Sequence, residues 1–288
     1  MTTTPAEAER ASSPPHRSAA PLVRVLSAEL RWVLRRPRNL LALLLVAALP
    51  VLIGTAIVLG GSPPPGHGPP VLSSVAGNGL MLPVATLVLA QNLLLPLIAA
   101  MVAADALAGE SSHGTLRGLL LAPVGRVRLV WVKAFGVLAM TVLAVAVIVV
   151  SGTITGLVAF GGDGLVTLSG TTLPLGEALG RVALAAGWSA IQMLAVGAVA
   201  LAISSTTEHP LVVLAVILGS LIVFGVLGAI PALEWLQPVL ITTGWSSVVD
   251  VLRDPILAEN LLTGLWRAGC YVLIGISATI ARMTTRDI

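Results

Sequence analysis

The chain has 288 residues, of which 56% are hydrophobic and only 10% are charged, and its mean hydropathy is +0.99. Soluble globular domains carry about 25% charged residues, so this composition excludes that class and indicates an integral membrane protein. The formal net charge is +3, and no basic patch interleaved with aromatic residues points to a nucleic-acid partner. Cys270 is the only cysteine, which excludes an internal disulfide and a cysteine metal site.

The chain begins with a polar stretch that leads into an amphipathic one. Residues 1–20 are rich in Pro, Ser, Thr and Ala and predict a disordered tail. Between Pro21 and Asn39, leucines and valines recur at helical spacing against Arg24, Arg31, Arg35 and Arg36. This pattern predicts an amphipathic helix that lies in the membrane interface, with Trp32 at headgroup level. A soluble helix packed on another domain is the alternative.

Six apolar stretches are candidates to cross a hydrocarbon core of about 30 Å. The predicted spans are 40–60, 80–104, 134–160, 181–203, 211–230 and 265–280. The first is too long, and begins too far into the chain, for a cleaved signal peptide. We therefore predict an all-α integral membrane protein in which residues 21–288 form a single transmembrane domain.

Residues 231–264 differ from the spans around them. They hold three prolines, a charged cluster formed by Asp250, Arg253 and Asp254, and apolar stretches too short to cross a membrane. The pattern predicts an outer segment made of short helices or of a re-entrant element.

Prolines in the second span and glycines in the third predict local features of these helices. Pro83 and Pro96 lie in the second span and predict a kinked element that lines a cavity. Gly152 and Gly156 in the third span are four residues apart, a spacing that permits close contact with a neighbouring helix.

Three polar residues lie near the middle of the second and fourth spans. Gln91, Asn92 and Gln192 are candidates to line a substrate path. The alternative is that they form hydrogen bonds between helices, which contribute about 0.6–2 kcal/mol each.

The distribution of basic residues predicts the orientation. With six spans both termini share one side of the membrane, and that side receives all but three of the sixteen lysines and arginines. The exceptions are Arg181, Arg253 and Arg267. Because cytoplasmic loops carry an excess of basic residues, both termini are predicted to be cytoplasmic.

Several chemistries are excluded by the residues present. A phosphate-binding loop needs a lysine between a glycine and a Ser or Thr, but the only lysine, Lys133, lies between Val132 and Ala134. The histidines are scattered and form no zinc-binding helix. The middles of the spans hold no ionisable side chain of the kind that an ion-coupled carrier needs, and Asp105 is expected to reach water at a span end. A separate nucleotide-hydrolysing partner is therefore the better hypothesis for an energy source.

The interval from Glu110 to Lys133 is the longest charged connection on the arginine-rich side. Its leucines follow helical spacing, and the interval predicts a short amphipathic helix over residues 110–122, with Glu110 in the first turn. Arg126, Arg128 and Lys133 then form a predicted basic collar at the membrane interface beside Trp131.

This interval resembles the signature of the type 2 ABC-transporter permeases. The residues that carry the likeness are Glu110, Gly114, Thr115, Leu116, Pro123, Val124, Arg126 and Lys133. The closing Arg286, Asp287 and Ile288 are also similar to a common ending in that family. The likeness extends over almost the whole chain from Pro21, in the order of amphipathic helix, six spans, cytoplasmic interval and outer segment.

The resemblance implies a permease subunit of an ATP-driven exporter that is not itself an enzyme. It implies that a coupling helix touches the ATPase subunit through Glu110, Ser111, Ser112, His113, Gly114, Thr115, Leu116, Leu119 and Leu120. It further implies two ATPase copies, which bind ATP and Mg, and a second permease copy in a homodimer or heterodimer. The expected location is the bacterial plasma membrane, and most relatives export lipids, glycans, peptides or drugs.

Two other functions stay open from the sequence. One is a membrane anchor that recruits a cytoplasmic protein without transport, and the other is an ion-coupled carrier. The anchor hypothesis predicts that changes at Gln91, Asn92 or Gln192 have no effect, whereas the carrier hypothesis predicts activity without an ATPase.

Overall fold

The computed structural model describes residues 22–61, 70–112, 125–162 and 164–285. Their helices are α1 (Leu22–Arg35), α2 (Pro37–Gly60), α3 (Pro70–Ser73), α4 (Leu82–Asn92), α5 (Leu94–Ala104), α6 (Arg126–Phe160), α7 (Leu175–Ser204), α8 (Pro210–Ala229) and α9 (Ala258–Thr285). The short strands β1 (Leu165–Val166) and β2 (Thr172–Leu173) pair antiparallel. The predicted tail, most of the predicted coupling helix and the three closing residues lie outside the described residues.

Six helical segments of the described chain are long and apolar enough to cross a membrane. They are Pro37–Gly60, Leu94–Ser112, Arg126–Phe160, Leu175–Ser204, Pro210–Ala229 and Ala258–Thr285. The prediction of an all-α, multi-pass membrane protein is confirmed. The first helix, α1, covers most of the stretch predicted as amphipathic, and its place in the membrane interface stays a prediction.

The spans alternate in direction, so that the bundle has two distinct ends. At one end Arg126, at the start of α6, donates hydrogen bonds to the carbonyls of Met283 (3.1 Å) and Thr284 (2.9 Å) at the end of α9. This end, which also carries Arg36 and Lys133, is called the basic end below. The hairpin of β1 and β2 lies at the opposite end, where the backbone N–H of Leu168 donates to the carbonyl of Leu252 (3.0 Å).

The second span is interrupted rather than continuous. Leu93 leaves the helical region, with φ −146° and ψ −53°, and separates α4 from α5. The position follows from Pro96, because a proline has no N–H to donate to the carbonyl of residue 92 four positions earlier. Beyond Ala104 the helix continues through a π-helical turn, Asp105–Gly109, to Ser112.

Glycines set the closest approach between the second and third spans, as the Gly152 and Gly156 spacing predicts. A Cβ atom on Gly156 would lie 2.0 Å from the carbonyl oxygen of Gly79, and one on Gly152 would lie 2.8 Å from the Cα of Pro83. Real Cβ atoms are not found at such distances, so the two backbones pack this closely only because glycine occupies both positions.

We expect Gly156→Ala to destabilise the protein by about 1–3 kcal/mol, because the added methyl group forces the two backbones apart. The measurement is the unfolding midpoint of the purified protein in detergent. Gly219→Ala is the matched control, since a Cβ there has no neighbour within 4 Å. Equal midpoints for the two variants would contradict the packing argument.

The outer segment folds back against α7 and α9. It contains two 3₁₀ helices, Pro231–Leu236 and Trp245–Leu252, and the second buries one face. Arg181 of α7 donates to the carbonyls of Val251 (3.1 Å) and Arg253 (2.9 Å). The last helix therefore begins at Ala258, earlier than the span predicted from residue 265.

Candidate coupling site at the basic end

Charged side chains from four elements meet at the basic end. They come from α1, from the start of α2 and the residue before it, from the end of the second span and from α6. Together with the Trp32 ring that contacts two of them, we call them the charged cluster, and its members are Glu29, Trp32, Arg36, Arg38, Asp105, Glu110 and Lys133.

Lys133 lies at the centre of one half of this cluster. Its side chain is only 4% exposed, and its Nζ lies 2.5 Å from Oε1 of Glu110 and 3.1 Å from both carboxylate oxygens of Glu29. The ammonium also lies 4.8 Å from the centre of the Trp32 ring, in cation–π contact. Because an unpaired buried charge costs several kcal/mol, these partners hold α1, the second span and α6 together.

The local sequence explains how Glu29 reaches Lys133. A Cβ atom on Gly136 would lie 3.3 Å from Cγ of Glu29 and 3.4 Å from Cγ2 of Val33. The absence of a side chain at Gly136 therefore lets α1 lie close against α6. Lys133 stands one turn earlier on α6, so the carboxylate of Glu29 falls within its reach.

Asp105 forms the other half of the cluster. The residue is buried at 3% exposure, and its carboxylate pairs with the guanidinium groups of Arg36 and Arg38. The Arg36 guanidinium also stacks on Trp32, 3.5 Å from the ring centre. The expectation that Asp105 reaches water is wrong, because Arg36 and Arg38, directly before and at the start of α2, pair with it at this end of the second span.

Arg36 precedes the first span and is partly buried. Burial lowers the pKa of its guanidinium below the ordinary value, while the negative charges of Glu110 and Glu29 act in the opposite direction. A guanidinium stays protonated in proteins, so Arg36 remains positively charged and pairs with the carboxylate of Asp105.

We expect Asp105→Asn to destabilise the protein by about 1.5–3 kcal/mol, the usual contribution of hydrogen bonds to charged groups. The change leaves Arg36 and Arg38 without their anion. The measurement is unfolding in detergent, with Glu234→Gln as the control because Glu234 is exposed at the opposite end. An Asp105→Asn variant as stable as this control would show that the pair contributes nothing.

The π-helical turn joins the two halves of the cluster. It contains Asp105 at its start and ends directly before Glu110. Ser204 of α7 supports the turn, since its hydroxyl accepts a hydrogen bond from the backbone N–H of Ala108 (2.9 Å) and donates one to the carbonyl of Ala104 (3.2 Å). Such turns disturb the regular backbone hydrogen bonds of a helix and occur frequently at functional sites.

Only three of the residues predicted to contact an ATPase are described. Glu110 is buried at 8% exposure, Ser111 is half-buried, and Ser112 is exposed, with its hydroxyl donating to the carbonyl of Gly109 (2.8 Å). Glu110 thus directs its carboxylate to Lys133 within the bundle. The other predicted contact residues, His113, Gly114, Thr115, Leu116, Leu119 and Leu120, lie outside the described residues.

The prediction of a basic collar at the membrane interface is wrong for one of its residues, Lys133. Trp131 is 57% exposed, as expected of an interfacial tryptophan. Lys133 instead points into the bundle, because Glu29 and Glu110 compensate its charge there.

The three polar residues proposed for a substrate path differ in their burial. Gln91 and Gln192 are 1% and 2% exposed, and Asn92 is exposed and donates to the carbonyl of Val88 on its own helix (2.8 Å). Among the described residues, neither amide atom of Gln91 has a hydrogen-bond partner, nor does Nε2 of Gln192. Neighbouring helices of the same chain therefore cover both glutamine side chains.

The described part of the chain contains no group of three or more His, Cys, Asp or Glu side chains that could hold a metal ion. The charged cluster itself offers three carboxylates, but three cations, Arg36, Arg38 and Lys133, pair with them. Its chemistry is that of ion pairing between elements.

A comparison with known protein families gives a match over most of the chain. Residues 28–252 match the family described as "ABC-2 family transporter protein". The chain belongs to this family. The matched range includes every member of the charged cluster. A comparison with curated proteins found no match.

Membership in the ABC-2 transporter family assigns the chain to the membrane component of a transporter, which is not itself catalytic. The family also associates in general with an ATP-binding-cassette partner. The likeness to ABC permeases inferred from the Glu110 interval is therefore confirmed. α9 lies beyond the matched range.

Proposed function

We propose that this chain is the permease subunit of an ATP-driven exporter and that a separate ATPase docks on residues 110–122 at the basic end. The observation that carries the proposal is the buried contact of Lys133 with Glu110 and Glu29. It ties Glu110, the first residue of this predicted docking segment, to α6 and, through Lys133 and Glu29, to α1. A buried ion pair at the first residue of this segment is suited to passing a displacement of the segment on to α6 and α1.

In the proposed mechanism, closure of the ATPase dimer pushes on residues 110–122. The charged cluster transmits this displacement because Glu110 is bonded to α6 through Lys133, and Asp105 is bonded to the start of the first span through Arg36 and Arg38. The second and third spans and α1 then move together, and a path opens between two copies of the chain. The π-helical turn, which contains Asp105 and ends directly before Glu110, is the proposed point at which the end of the second span changes shape.

The proposal includes the rest of the complex. Two ATPase copies bind ATP and Mg, and a second permease copy completes the transporter, in a homodimer or a heterodimer. The least buried spans, α2, α8 and α9, leave large apolar surfaces exposed, which are suited to contact with this second copy or with lipid. The proposed location is a bacterial plasma membrane with both termini in the cytoplasm, and export is the proposed direction.

A pull-down from detergent-solubilised host membranes tests the docking claim. The tagged chain is expected to bring down an ATP-binding-cassette ATPase, identified by mass spectrometry. A variant with residues 110–116 scrambled is expected to insert into the membrane but to lose this partner. A result in which no protein with a nucleotide site co-purifies would favour a membrane anchor or an ion-coupled carrier over this proposal.

A further inference from the structure

Arg267 of α9 is a cation without an acidic partner in the described part of the chain. The other two arginines predicted on its side of the membrane are paired. Arg181 lies 3.5 Å from a carboxylate oxygen of Asp254, and Arg253 lies 3.3 Å from one of Asp250. The guanidinium of Arg267 instead donates from Nη1 to the backbone carbonyl of Thr243, which carries no formal charge. No described side chain therefore compensates the positive charge of Arg267.

The depth of Arg267 makes this uncompensated charge costly. α9 reaches the basic end beside Arg282, where the carbonyl of Met283 accepts from Arg126. The rise along α9 from Arg267 to Arg282 is about 22 Å at 1.5 Å per residue. A hydrocarbon core is about 30 Å thick, so Arg267 lies inside the core rather than beyond its far boundary. Ionisable residues at such depths are rare and commonly mark binding sites.

Two buried N–H groups in this region have no acceptor. Nε of Arg267 and Nε1 of Trp245 are buried without a hydrogen-bond partner among the described residues, and Trp245 is only 6% exposed. The backbone brings these residues together, because a Cβ atom on Gly244, directly before Trp245, would lie 3.4 Å from Nη1 of Arg267. A cation and donors without acceptors are complementary to a group that accepts hydrogen bonds and carries negative charge.

The unpaired edge of the Arg267 guanidinium matches a phosphate group. Nη1 is bonded to Thr243, whereas Nε and Nη2, which form the side edge of the guanidinium plane, donate to no described residue. Two parallel N–H groups on one edge fit two oxygens of a phosphate. Trp266, directly before Arg267, is 78% exposed, so this part of α9 borders the surrounding lipid. A phosphate attached to an apolar tail reaches this depth more readily than a free ion, whose burial is costly.

We propose that Arg267 and Trp245 bind one phosphate group between α9 and the outer segment. The depth of Arg267 favours the phosphate of an anionic lipid over inorganic phosphate as its source. The bound phosphate compensates the charge of Arg267 and supports the contact between the outer segment and α9. The site is separate from the charged cluster and does not depend on the proposed docking of an ATPase.

Binding of short-chain lipids to the full chain in an uncharged detergent tests this site. Microscale thermophoresis at constant ionic strength measures the Kd for dihexanoyl phosphatidylglycerol, for dihexanoyl phosphatidylcholine and for sodium phosphate. We expect phosphatidylglycerol to bind about tenfold more tightly than phosphatidylcholine, because the choline cation compensates the phosphate of its own lipid. Weaker binding of sodium phosphate than of phosphatidylglycerol assigns the site to a lipid, whereas equal binding assigns it to free phosphate.

Three variants show whether the two named residues bind the phosphate. Arg267→Gln is expected to weaken phosphatidylglycerol binding by about tenfold. Arg253→Gln removes the same charge from a paired arginine and is expected to leave the Kd unchanged. Trp245→Phe removes only the indole N–H and is expected to weaken binding by about fivefold, an effect that does not depend on the bond from Arg267 to Thr243.

Three results would overturn the proposal. The first is equal binding of the two lipids by the wild-type protein. The second is equal affinity of the Arg267→Gln and Arg253→Gln variants, which would leave Arg267 only its structural bond to Thr243. The third is an unchanged Kd for Trp245→Phe.

Discussion

Replacing Lys133 with alanine is expected to destabilise the protein by about 3–5 kcal/mol, the usual effect of removing one partner from a buried ion pair. The substitution leaves Glu29 and Glu110 close together, largely buried and without their cation. Like charges held close together repel each other, and burying a charge without a partner is costly. The measurement is unfolding in detergent mixed with increasing SDS, followed by tryptophan fluorescence.

Two variants make this prediction specific to the ion pairs. Arg31→Ala removes an exposed cation from α1 and is expected to change stability little. A triple variant, Lys133→Met with Glu29→Gln and Glu110→Gln, removes all three charges and is expected to recover most of the loss. If Lys133→Ala is as stable as Arg31→Ala, Lys133 does not hold the elements together.

The second large effect is expected on the coupling of ATP hydrolysis to transport. We expect Glu110→Gln to lower the amount of substrate transported per ATP hydrolysed by about tenfold, while the complex still assembles and hydrolyses ATP. The amide keeps the shape of the side chain but removes the charge that bonds the end of the second span to α6. Displacement of residues 110–122 is then no longer passed to the third span.

The measurement is made in reconstituted vesicles with a probe that the wild-type complex transports. Hydrolysis and transport are recorded on the same preparation, and Glu234→Gln at the opposite end is the control. Transport by Glu110→Gln equal to that of the wild-type protein would contradict the proposed route of coupling.

Hydropathy was sufficient to predict the six spans, because about twenty consecutive apolar residues have few stable arrangements other than a membrane helix. The close contact at Gly152 and Gly156 was predictable for a similar reason, since their spacing places both on one helix face. Helix ends were less predictable. The start of α9 at Ala258 depends on how the outer segment folds back, through contacts such as those of Arg181 with Val251 and Arg253.

The charged cluster was missed because its pairs are distant in sequence. Lys133 and Glu29 are 104 positions apart, and Arg36 and Asp105 are 69 apart. General rules assign a charge near a span end to water or to the interface, and those rules failed for both Lys133 and Asp105. One signal was present, since the only lysine of the chain stands within an apolar run that the α6 helix continues without a break.

Site-specific cross-linking tests the central claim most directly. Cys270 is the only cysteine, so Cys270→Ser gives a background into which Ser112→Cys places a single thiol at the exposed end of the second span. A thiol-reactive photo-cross-linker on this residue is expected to capture an ATP-binding-cassette ATPase in host membranes. The control is Thr172→Cys, exposed on β2 at the opposite end, which is expected to capture none. Capture of the ATPase from Thr172→Cys, or its failure from Ser112→Cys while the ATPase still co-purifies, would contradict docking at the basic end.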